Sequence, residues 1–196
     1  MYKINIAFLA FFVLLFYSCN SQVKKRAICE EKFKEARDLV YGKKNEIRQT
    51  TLDSALSLVN ESLQCESIKK SVIEFKIRLL ISMKKYSQGI AFVDSLKESD
   101  FTYNYKKNLM IKNLRALSYS SENDTTQRNL IYQEMANDLE QYIKNQKVKG
   151  KKFEEIFLDL YSVKEHFLNA NQINNEIDSL IKVYPEQKPF FEYLRK

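Results

Sequence analysis

The chain has 196 residues, with 32 Lys and Arg against 25 Asp and Glu, a formal charge of +7, 44% hydrophobic residues, 3 Gly, 2 Pro and no Trp. So few turn formers exclude an all-β sandwich or barrel, and the length is enough for one domain with a substantial core. The basic residues are scattered along the chain and gather in no stripe, so nucleic acid is not expected as a partner.

Residues 4–16 contain one polar residue, Asn5, behind a single charge at Lys3. The run is shorter than the roughly 20 residues needed to cross about 30 Å of hydrocarbon, so it reads as a secretory signal covering residues 1–18. It ends at Phe16-Tyr17-Ser18-Cys19 and turns polar at once. This resembles the lipobox of bacterial lipoproteins, with Phe16 and Tyr17 bulkier than usual, a laxity seen in lipoproteins of the Bacteroidetes type. The resemblance implies lipidation of Cys19, with residues 19–26 as a tether. A cleaved signal with an incidental Cys19 and an uncleaved anchor are the other readings. Each buried methylene of a lipid contributes about 0.8 kcal/mol, so an acylated Cys19 would hold the domain on a bilayer. Lys24, Lys25 and Arg26 would add about 1 kcal/mol each beside an anionic surface. The stretch "NSQVKKR" lacks the acidic residues that follow the cysteine in surface-exposed lipoproteins of that group, which implies an outer-membrane protein facing the periplasm.

Beyond the tether, apolar residues recur at helical spacing. A helix over residues 27–41 followed by one over 51–65 folds back as an antiparallel pair, bringing Cys29 and Cys65 near its open end. An exported protein can bridge them, and two separate thiols remain the alternative. Further stripes run through Val72, Ile77 and Leu80, then Ile90 and Val93, then Leu109 and Leu114, then Ile131, Met135, Leu139 and Tyr142. The last third continues with Phe153, Ile156, Phe157 and Leu160, and then Ile173, Ile177 and Leu180. Polar or turn-forming breaks at residues 42–49, 98–101, 120–127, 147–151 and 169–171 separate them, and Ser87 and Pro185 mark two more. The expectation is an all-α domain over residues 27–196, of about eight helices in antiparallel hairpins. Second helices begin near Thr51, Ser87, Thr126 and Ala170, spacings of about 36–44 residues, in the range of helical-hairpin repeats.

One segment carries a sharper likeness. "IRLLISMKKYSQGIAFVDSL" resembles the middle of a tetratricopeptide repeat, with Tyr86 as the aromatic at the turn and Gly89, Ile90 and Ala91 as the small and aliphatic residues that let two helices approach. "TTLDSALSLVNESLQCES" similarly resembles a second helix with Ala55 as its small packing residue. The resemblance implies a short tetratricopeptide-like solenoid of stacked hairpins, and Phe190 to Leu194 would close its end.

Catalytic chemistry is hard to assemble from this chain. His166 is the sole histidine and has no metal-ligand spacing around it, and three scattered glycines make no phosphate loop. Adjacent glutamates, Glu30-Glu31 and Glu154-Glu155, diverge by about 100° on a helix and cannot share a proton. No enzyme, cofactor or metal is expected. Asp53-Ser54, Asp94-Ser95, Asp124-Thr125 and Asp178-Ser179 each resemble the acceptor for O-glycosylation of exported Bacteroidetes proteins, with Thr125 in the polar break the most accessible. Among 12 Tyr and 13 Phe, the group Phe101, Tyr103 and Tyr105 stands at a helix start, where amphipathic aromatics serve as anchors for another protein or peptide. The sequence therefore suggests a membrane-anchored, non-enzymatic protein-binding module of the bacterial envelope. An immunity lipoprotein blocking an antibacterial toxin, or a helical carrier of a small molecule, is the alternative.

Overall fold

The structure, a computed structural model, describes residues 27–42, 49–146 and 150–196. Cys19, the signal and the tether lie outside the described residues. Among the described residues the chain is helical without a strand, and no helix is long and apolar enough to cross a membrane. It divides into two compact units between Met83 and Lys84.

The first unit holds α1 (27–41), α2 (Gln49–Ser62) and α3 (Lys69–Ser82). Phe33 and Ala36 of α1 meet Leu52, Ala55 and Val59 of α2 and Val72, Phe75 and Leu79 of α3 in one core. Ala55 and Val59 are fully buried, so the small residue at the centre of α2 lies inside the packing. Phe33 and Phe75 meet edge to face, their centroids 5.7 Å apart, the favoured geometry for aromatic pairs.

Cys29 and Cys65 are joined by a disulfide with a Cα separation of 6.1 Å. Cys65 lies just beyond α2, which ends at Ser62, three residues short of the expected boundary. At that end the buried Ser62 hydroxyl lies 2.8 Å from the Leu58 carbonyl and 3.2 Å from that of Cys29, tying α2 to α1. A serine that bonds the carbonyl four residues back slightly weakens and often bends its helix.

The second unit runs through α4 (Tyr86–Ser95), α5 (Tyr105–Ser121), α6 (Thr125–Gln146), α7 (Lys151–Lys164), α8 (Ala170–Val183) and α9 (Lys188–Tyr193), with short 3₁₀ turns at Glu98–Asp100 and Pro185–Gln187. From α4 to α7 each helix packs on the next. At the α4–α5 contact, a Cβ placed on Gly89 would lie 3.2 Å from both methyls of Leu114, so the missing side chain is what permits the approach. The core joins Tyr132, Met135 and Leu139 of α6, Ile156, Phe157 and Leu160 of α7, Ile173 and Ile177 of α8, and Phe191 of α9. Phe191 is fully buried and Leu194 nearly so. Phe190 packs against this core from its edge, whereas Tyr193 is exposed.

The helix starts have visible chemistry. Asn169 and Gln172 form a reciprocal capping box at α8, the Gln172 amide reaching Asn169 Oδ1 at 3.0 Å and the Asn169 amide reaching Gln172 Oε1 at 2.9 Å. Asp124 accepts the Gln127 amide at 2.9 Å, which starts α6 at Thr125 and places the second half of the expected polar break inside a helix. Asn123 and Gly150 take positive φ before α6 and α7, and Lys84 does so between α3 and α4. At the end of α4, the Lys107 ammonium donates to the carbonyls of Asp94 at 2.8 Å and Leu96 at 2.7 Å, satisfying groups that a helix terminus leaves open.

Candidate functional site

The aromatic group at the start of α5 separates into two kinds of residue. Phe101 is 8% exposed and buried in the second unit, so it is not an exposed anchor; an uncharged ring with no polar edge gains more from core packing than from contact with water. Tyr103 and Tyr105 are half-buried and stack in parallel at 5.8 Å. Tyr142 of α6 joins them, its ring 5.0 Å from that of Tyr105.

Polar contacts hold this ledge. The Tyr105 hydroxyl donates to Asp159 of α7 at 2.8 Å, and the Lys106 ammonium donates to the same oxygen at 2.5 Å. Tyr142 donates to Asn104 Oδ1 at 2.8 Å. The Lys152 ammonium sits 5.5 Å from the Tyr103 centroid and 5.0 Å from that of Tyr142, within cation–π reach of both rings. Burial and then the Asp159 carboxylate push the Tyr105 phenol well above its ordinary range. Desolvation and then the Glu155 carboxylate also raise Tyr103. Both therefore remain protonated donors at neutral pH.

Tyr105 and Tyr142 also end a cleft of about 360 Å³ between α5 and α6. Leu109, Met135 and Leu139 form its apolar part, and Asn108, Gln141 and Asn145 supply amides. Lys112 crosses it to Asp138 at 2.8 Å and Glu134 at 3.4 Å. Burial pulls the Lys112 ammonium down more than any other single influence, but bonds to the two carboxylates together outweigh it and leave the group raised. Aromatic rings, amides that both donate and accept, and an apolar floor thus give this cleft a mixed polar and apolar lining.

A second cluster lies among α6, α7 and α8. Lys164, 7% exposed, places its ammonium 2.7 Å from Glu140 Oε1 and 2.5 Å from Glu176 Oε2. The Tyr161 hydroxyl reaches the same Glu176 oxygen at 3.3 Å, and the ammonium stands 5.6 Å from the Tyr161 centroid. Sequence reasoning missed this group. Its signal was a lysine continuing the apolar stripe Phe153, Phe157, Leu160 and Tyr161 on α7, where an unpaired charge would be costly.

The remaining candidates are dispersed. Ser54, Ser95, Thr125 and Ser179 are exposed on α2, α4, α6 and α8. The three serine hydroxyls turn back onto their own helices, to Thr50 O at 2.9 Å, Phe92 O at 2.7 Å and Asn175 O at 3.1 Å. Thr125 occupies the first turn of α6 and not a loop. His166 is exposed beyond α7 and stacks on buried Tyr132 at 3.9 Å. Among the described residues no group of three or more His, Cys, Asp or Glu is placed to hold a metal ion. Comparison with known proteins finds no matching family model, no matching curated protein and no matching solved structure.

Proposed function

We propose that this chain is a lipid-anchored, non-enzymatic module of the bacterial envelope that binds another protein or peptide through the α5–α6 cleft and its tyrosine ledge. In this reading Cys19 carries the anchor at the periplasmic side of the outer membrane, and the helical hairpins form a tetratricopeptide-like scaffold for the surface. The observation that carries it is the shared position of Tyr105 and Tyr142, which belong both to the ledge and to the cleft. Rigid tyrosines beside amides give a large contact area at low ordering cost, as binding hot spots do. Blocking an incoming toxin and holding an envelope assembly partner are two versions of the same activity.

The test is a photo-crosslinking amino acid placed at Asn108 in the cleft, compared with one at Leu158, 41% exposed on α7. One dominant crosslinked polypeptide from Asn108, and none from Leu158, is expected. Equal yields at both positions, or none at Asn108, would refute the assignment of the surface. A small-molecule carrier is the second reading, favoured by the apolar cleft beside Lys164.

A further inference from the structure

The cleft among α6, α7 and α8 has a volume of about 390 Å³, within the range of small-molecule sites. Its body is apolar, with Ile143, Phe157, Leu160, Leu180 and the Tyr184 ring, and its polar wall is the Lys164 cluster. That cluster sets two carboxylates against one ammonium. Glu140 and Glu176 are each 39% exposed, whereas the Lys164 side chain is 9% exposed. A molecule entering from solvent therefore meets the carboxylates first. Lys164 uses Glu140 Oε1 and Glu176 Oε2, and the second oxygen of each carboxylate can accept from a further donor. An anion would find the Lys164 ammonium already held by both glutamates and facing the Tyr161 ring, with only the exposed Lys144 at the rim to attract it.

We infer that this cleft is a binding site for a small amphipathic amine, its apolar body on the part-exposed Ile143, Leu180 and Tyr184 and its ammonium on Glu140 and Glu176. The site is separate from the α5–α6 cleft, and its occupancy does not depend on the protein-binding reading. The positive head donates to the carboxylate oxygens that Lys164 leaves open, and the body covers the exposed parts of Ile143, Leu180 and Tyr184.

The test uses the full chain with three probes that share one ring system: tryptamine, indole-3-propionate and tryptophol, titrated by calorimetry and followed by NMR shifts of Leu180 and Tyr184. Tryptamine should bind at least about tenfold more tightly than either of the others, since charge-assisted bonds are roughly twice as strong as neutral ones. Glu176→Gln should weaken tryptamine by about tenfold, and Lys144→Gln, which removes a like charge from the rim, should tighten it. Circular dichroism checks that each variant is folded, and Glu140→Gln replaces Glu176→Gln if the latter is not. Equal binding of the carboxylate and the amine, binding unaffected by the glutamate variant, or no shift at Leu180 and Tyr184 with any probe would each overturn the inference.

Discussion

Replacing Lys164 with methionine isolates what the charged cluster does for stability. Methionine keeps most of the stem volume and removes the ammonium that lies 2.7 Å from Glu140 and 2.5 Å from Glu176. At an effective dielectric of about 20, one such pair is worth about 6 kcal/mol of Coulomb energy before costs. Desolvating the lysine and holding two carboxylates side by side consume most of that sum. Breaking a fully buried pair costs about 3–5 kcal/mol, but both glutamates remain 39% exposed and water screens them once the lysine is gone. The expected loss is therefore about 2 kcal/mol, or roughly 1 M in the urea midpoint.

Urea unfolding followed by circular dichroism measures the change, with an unchanged slope required for the comparison. The triple variant Lys164→Met, Glu140→Leu, Glu176→Leu should regain most of the loss, because it removes the stranded carboxylates as well as their partner. The sign with pH follows from the same geometry. Burial lowers Lys164 most as a single influence, but the two glutamates together raise it above its ordinary value, so its contribution is complete below that value and declines as pH rises through the higher folded one. A Lys164→Met protein within about 0.5 kcal/mol of the parent would refute the reasoning.

Tyr105→Ala with Tyr142→Ala should abolish partner capture, and Phe101→Ala should instead lower stability by about 3–5 kcal/mol because Phe101 is buried; crosslink yield and urea midpoint separate the two effects. Reducing the Cys29–Cys65 bridge, which spans 36 residues, should destabilise the first unit by about 2–4 kcal/mol, read as faster proteolysis within α1–α3; unchanged cleavage with dithiothreitol would count against a structural bridge. Gly89→Leu should cost about 1–3 kcal/mol by overpacking against Leu114, measured by thermal unfolding. Burial and then Arg128 lower His166 below its ordinary 6.5, against an opposing pull from Glu165, so the folded state binds fewer protons and stability falls as pH drops below that value. His166→Phe keeps a ring on Tyr132 and should flatten this dependence; identical pH profiles would contradict the assignment.

The helices were legible because their apolar stripes are long and regular. Expected second helices at Thr51, Ser87, Thr126 and Ala170 correspond to observed starts at Gln49, Tyr86, Thr125 and Ala170. The polar run at residues 120–127 was less informative, because threonines and glutamine that suit a loop also fill the first turn of a helix once Asp124 supplies the cap. At the candidate surfaces, composition marked Tyr103 and Tyr105 but could not separate them from Phe101, whose fate depends on packing. Tyr142 looked like one more position in the α6 stripe, since its contacts with Tyr105 and Asn104 join residues more than 30 positions apart. Lys164 stood out only as a lysine on the α7 stripe, and its partners were illegible for the same reason, since the carboxylates come from α6 and α8.

The most direct test of the binding account is in-cell crosslinking of the full chain through a C-terminal tag, run beside Cys19→Ala and the Tyr105→Ala, Tyr142→Ala variant. The account predicts one near-stoichiometric protein partner at the membrane, lost from the tyrosine variant while that variant stays anchored, and depleted when Cys19 is removed. An anchored protein with no protein partner, or a partner that persists without both tyrosines, would contradict it.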